Sequence, residues 1–222
     1  MEDIDAIAML QDPVRRRLYE YVVAQGREVG RNEAAEGAGV ARTLAAHHLD
    51  RLTEAGLLES GSRRLTGRSG PGAGRPAKVY TRARAEWSVA LPARDYRTAA
   101  ELLAEAAEQA GLDAGLCAAA RRRGEALRGS EAPCGDLDEA VRALAARGYE
   151  PHMEDSEGAA PVVRMRNCPF HAVAERFPPL VCGMNLALLE GLLGTDGPLR
   201  ARMDARPGEC CVVVENSKNN DD

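Results

Sequence analysis

Glycine punctuation near the N-terminus constrains this chain more than any other feature. Gly26, the run Gly37-Ala38-Gly39 and Gly56 cut the first sixty residues into three short, helix-length pieces, and glycine is the residue that most readily takes the left-handed turn ending a helix. The first piece opens on Asp12-Pro13, a capping residue followed by a residue suited to the first helical position. Val14, Leu18, Tyr21 and Val22 then fall on one face. The second piece predicts a short helix over 31–36, and the third a helix over 42–55 with Leu49 and Leu52 facing inward. Beyond Gly56 the text becomes GLLESGSRRLTGRSGPGAGRPAKVYTRAR. Strands are expected at 57–65 and 77–81, with a long Gly/Pro-rich hairpin tip between them.

Two helices joined by a tight glycine turn and followed by a basic hairpin make a winged helix-turn-helix, whose later helix enters the major groove. Charge supports a local anionic partner. The chain is acidic, at −5, yet between Glu59 and Glu86 it carries seven basic residues and no acid. Residues 1–95 balance to +2 (15 Lys/Arg, 13 Asp/Glu), and the remainder to −7 (14 against 21). The stretch AAHHLDRLTEAGLLE resembles the ArsR/MarR-type winged-helix repressors, whose third helix carries HL-x-x-L followed by AGL. The likeness covers about residues 10–84 and implies a docking face of Arg42, Thr43, Ala46 and His47. There Arg42 would hold guanine or a phosphate, Thr43 and His47 would reach base edges, and Arg51 would meet the backbone. His48 is expected to be packed and hydrogen-bonded. In the wing, Arg63, Arg64, Arg68, Arg75 and Lys78 are the expected phosphate contacts, with Arg75 of the GRP turn suited to a narrow minor groove.

The chain is alanine-rich and only 4% aromatic, which favours helices in the remaining sequence. They are expected at 95–111, 114–129 and 136–151. Cys117 is read as core or interface, Cys134 as incidental, and the arginines at 121–123 as a solvated face. Long helices after a winged helix suit a two-fold contact, so a homodimer on a palindromic operator is expected, with its interface within 90–130. From Tyr149 onward, short strands and helices alternate. The expected fold is mainly α with α+β: a winged helix-turn-helix at 1–90, a helical dimerisation region at 91–147, a small α/β sensor domain at 148–215 and a disordered tail at 216–222. The acidic start MEDIDAIAML shows no basic segment followed by an apolar stretch, and LVCGMNLALLEGLL is too short to span a bilayer. The reading is a cytoplasmic protein without a membrane partner.

The late cysteines carry the remaining chemistry. Cys168, Cys182 and Cys210 are each expected at an element boundary, where they could converge at one end of a small domain. If Val212 and Val214 face the core, strand alternation sends Cys210 with them and Cys211 away. Buried small hydrophobes are one reading of these thiols. In a reducing compartment a disulfide frame is disfavoured and a metal centre is the sharper reading, either an iron–sulfur cluster or zinc in a Cys3His set completed by His171. The pattern NCPF…FPPLVC…C after a winged helix resembles the SufR family of iron–sulfur-cluster repressors. That resemblance implies a [4Fe-4S] cluster on Cys168, Cys182 and Cys210, with His171 or Cys211 as candidates for the fourth position. It implies a DNA-binding regulator, as a repressor, that senses iron–sulfur, redox or nitric-oxide status through that cluster. The alternative is the same DNA module with structural zinc (Zn) or an organic effector. No phosphate loop, Ser-His-Asp order or carboxylate pair is visible, and nothing orients His171 against Cys168, so no enzyme is expected.

Overall fold

The computed structural model describes residues 2–63, 76–155, 158 and 160–217. The chain forms two compact units, Met1–Arg94 and Asp95–Asp222.

In the first unit, helix α1 (Glu2–Ala8) precedes α2 (Pro13–Gln25), strand β1 (Val29–Gly30), α3 (Arg31–Gly37), α4 (Arg42–Glu54), β2 (Leu58–Arg63) and β3 (Ala77–Arg82). Asp12 caps α2 by accepting the backbone N–H groups of Val14 and Arg15, both at 2.9 Å. Gly26 stops the helix at φ 62°, which an L side chain would resist. Leu18 and Val22 of α2, Leu49 and Leu52 of α4, and Val29 and Tyr80 of the sheet are buried together. Each fully buried aliphatic contributes about 2 kcal/mol. The sheet order is β1-β3-β2, and β2 and β3 pair as an antiparallel hairpin from Leu58↔Arg82 to Arg63↔Ala77. Its outer turn, including Arg64, Arg68 and Arg75, lies outside the described residues. Helix α1 and strand β1 were not expected: two residues of strand carry no period to read. Trp87, the single tryptophan, is partly buried against this core, and its ring lies beside the turn at Gly56, where a Cβ would come within 3.1 Å of it.

The second unit holds α5 (Tyr96–Gln109), α6 (Asp113–Arg128), α7 (Leu137–Ala145), β4 (Pro151–Glu154), β5 (Val162–Met165), α8 (His171–Ala174), α9 (Pro178–Leu193), β6 (Leu199–Met203) and β7 (Val212–Asn216). The strands form one antiparallel sheet in the order β4-β5-β7-β6. Val163, Met165, Val212 and Val214 face a core shared with Leu144 of α7 and Leu189 and Leu193 of α9. Arg164, next along β5, is also buried; Glu154 (2.6 Å) and Asp204 (2.5 Å) neutralise it. Helix α9 is buried on several sides, with α6 against it at backbone distance. A Cβ on Gly124 would stand 2.1 Å from the Leu188 carbonyl oxygen, and one on Gly191 2.1 Å from that of Arg121. The helices of 95–128 therefore pack within the same unit as the sheet. Helix α5 buries none of its residues and leaves Leu102 and Leu103 exposed. Residue 216 still belongs to β7, and 218–222, most of the expected tail, lie outside the described residues.

Candidate nucleic-acid interface and thiol cluster

Helix α4 divides cleanly. Ala45, Leu49 and Leu52 point into the core, while Arg42, Thr43, His47 and Arg51 are exposed and Ala46 is half-buried. Leu44, which the sequence reading passed over, is also exposed on this helix. Arg42 donates from Nε to Asn32 Oδ1 at 2.7 Å, Arg51 pairs with Glu54 at 3.1 Å, and Arg63 with Glu28 at 2.9 Å. Exposed pairs of this kind are worth at most about 1 kcal/mol each, so a phosphate can displace them.

Lys78 is held more firmly. Its Nζ lies 2.7 Å from Asp50 Oδ1, which also accepts the Tyr80 hydroxyl at 2.9 Å. Burial works to raise the Asp50 pKa, but the hydrogen bonds from Lys78 and Tyr80 outweigh it and hold the carboxyl below its ordinary value. Lys78 thus fastens the wing strand to α4. His48 is half-buried, and burial lowers its pKa. It is packed as expected, but its Nδ1 has no hydrogen-bond partner among the described residues.

In the second unit, four cysteines from three segments meet. Cys168 lies in the turn between β5 and α8, Cys182 in the second turn of α9, and Cys210 and Cys211 just ahead of β7. Each therefore sits a few residues from the boundary the sequence suggested. The Cys168 amide region is pinned by the His171 N–H donating to the Cys168 carbonyl at 3.0 Å, and Cys210 by its own N–H to the Met165 carbonyl at 2.9 Å. The thiols of Cys168 and Cys210 lie close enough to perturb one another electrostatically, as do those of Cys182 and Cys211. Asn185 donates from Nδ2 to Cys210 Sγ at 3.4 Å, and its Oδ1 accepts the Tyr149 hydroxyl at 2.5 Å.

The electrostatics follow from this pairing. The contact with Cys168, helped by Asn185 and the backbone N–H groups of Cys211 and Val212, brings Cys210 down to about 7 against the opposing cost of burial. Cys168 is raised by its contact with Cys210, and then by burial. Burial, then the contact with Cys211, pushes Cys182 up to about 12.

His171 stands apart. Its side chain is 67% exposed and Nε2 lies 3.2 Å from Glu175. Cys117 faces α9 near Gly183, and Cys134 packs half-buried against the core. Among the described residues, no group of three or more His, Cys, Asp or Glu side chains is arranged to hold a single metal ion. Cysteine thiolates are the ligand type that iron–sulfur clusters take.

A helix-turn-helix domain family matches residues 10–61, the stretch running from the cap of α2 into β2. No curated protein and no solved structure matches the chain. The first unit therefore contains a helix-turn-helix domain, a module that suggests DNA binding and transcriptional regulation. Among the described residues no helix is long and apolar enough to cross a membrane.

Proposed function

We propose that this helix-turn-helix protein is a repressor that senses iron–sulfur, redox or nitric-oxide status through a [4Fe-4S] cluster in its second unit. The observation that carries the reading is the meeting of four cysteines from a turn, a helix and the approach to the last strand. Cys168, Cys182 and Cys210 would hold the cluster. Cys211, already beside Cys182, is the fourth ligand in this proposal, in preference to the exposed His171. The cluster, when bound, supplies an iron centre that reacts with oxidants and nitric oxide.

The chain's own part is mechanical. The three cysteine segments are joined by packing and a few hydrogen bonds, and common ligation would tie them into one rigid end. Asn185 orients Cys210, and Tyr149 in turn fixes Asn185. Losing that tie changes the rigidity of the unit, which is the input a regulator passes to its DNA contacts. We further propose a homodimer on a palindromic operator, using the exposed apolar side of α5 at Leu102 and Leu103.

Anaerobic purification with iron and sulfide analysis tests the proposal. Wild type should carry iron and sulfide in equal amounts, and Cys168→Ser, Cys182→Ser or Cys210→Ser should each lose them. Cys211→Ser should weaken retention, while Cys117→Ser, Cys134→Ser and His171→Ala should leave the content unchanged. Colourless, iron-free wild type after reconstitution would falsify the cluster. Stoichiometric zinc on the same residues would replace it with a structural site.

A further inference from the structure

The second unit contains a cavity of about 260 Å³ that none of the chemistry above uses. Its walls are Leu127 of α6, Leu188, Leu189 and Leu192 of α9, and Phe170 from the turn after Cys168. A single charged residue enters this apolar lining, Arg147, from the loop following α7.

Arg147 is held in place. Nη1 donates to the Ala143 carbonyl at 2.9 Å and Nη2 to that of Leu127 at 2.7 Å. Both partners are neutral, and among the described residues no carboxylate forms an ion pair with this guanidinium. Its Nε–H is buried and has no hydrogen-bond partner among the described residues. A guanidinium with no carboxylate partner at the wall of a leucine-lined space calls for an anion to neutralise it. Apolar walls around a few placed polar groups are the usual make-up of a small-molecule site.

We propose that this cavity binds a medium-chain monocarboxylate, its carboxylate on Arg147 and its tail among the leucines. The size limits the ligand. The space exceeds the roughly 150 Å³ that holds benzene but is smaller than a drug-sized pocket, which suits about eight to ten heavy atoms. The cavity also abuts the thiols without including them. Phe170 lies two residues beyond Cys168 in the same turn, and Tyr149, another wall residue, holds Asn185 against Cys210. Ligand in the cavity therefore presses on the supports of the thiol set, as an effector would. The binding step itself stands without the cluster.

Isothermal titration of the full chain with octanoate, 1-octanol and octylammonium tests this. Octanoate should bind one per chain, about tenfold more tightly than octanol, the margin expected for one charge-assisted hydrogen bond, and octylammonium should not bind. Arg147→Met should bring octanoate and octanol within about twofold of each other. Leu188→Trp should fill the space and abolish binding of both. Phe170→Trp, on the turn, blocks the same space should the helix variant not fold. Octanoate binding should survive in Cys168→Ser, which separates this site from the thiol reading. No octanoate binding, equal affinity for octanol in the wild type, or binding undisturbed in a folded cavity-filled variant would overturn the proposal.

Discussion

Asp50 shows how much one carboxylate can hold in the DNA-binding unit. It joins α4 to the wing strand through Lys78 and Tyr80, so Asp50→Asn should lower the stability of that unit. The group is partly exposed, and the loss is expected at about 1 kcal/mol, or about 5 °C in Tm by circular dichroism. The pH dependence has a definite sign. The folded-state pKa of Asp50 lies below its unfolded value, so its contribution is complete above the unfolded value and is lost as pH falls through the folded one. The gap between wild type and variant should begin to close below about pH 4; a gap constant down to pH 3 would detach Asp50 from the effect. Legibility at this scale was uneven. Arg42, Thr43 and His47 could be assigned to the outer face because α4 has a strict period and Leu49 and Leu52 fix its inner side. Alternation sends Cys211 away from Cys210, yet it lies beside Cys182; both cysteines precede the β7 ladder, which starts at Val212. His171 follows Cys168 closely in sequence, yet the turn carries it to the surface beside Glu175.

Among the elements, the contact between α6 and α9 is the tightest constraint. The two helices meet at Gly124 and Gly191, where a Cβ would strike carbonyl oxygen at 2.1 Å. Backbone cannot swing aside as a side chain does. Gly191→Ala or Gly124→Ala should therefore destabilise the second unit by about 2–4 kcal/mol, read from denaturant unfolding. Gly115→Ala, also on α6 but with nothing within 4 Å of its Cβ, should be neutral or stabilising by up to about 1 kcal/mol. Equal effects at Gly115 and Gly191 would mean that helix propensity, not the crossing, sets the cost. Both helices could be expected from their composition. Their partnership could not, since α9 is apolar nearly all round and offers no single face, and a glycine inside a helix pattern reads only as a local weakness. The winged helix was more legible, because its caps, stops and basic hairpin all point to one arrangement.

For the whole molecule, an acidic chain must bring a small basic region to an acidic polymer. That makes the affinity for DNA depend steeply on salt. Each neutralised phosphate releases counterions, so Arg68→Ala together with Arg75→Ala should reduce the slope of log affinity against log salt by about two. An unchanged slope would remove these two residues from the interface. The single tryptophan has a bearing on every such measurement. Trp87 belongs to the first unit and lies against the turn at Gly56, so all indole emission originates there. Visible absorption from iron on thiolates would originate only in the second unit. One heated sample, followed at two wavelengths, thus yields a separate melting curve for each unit without cutting the chain.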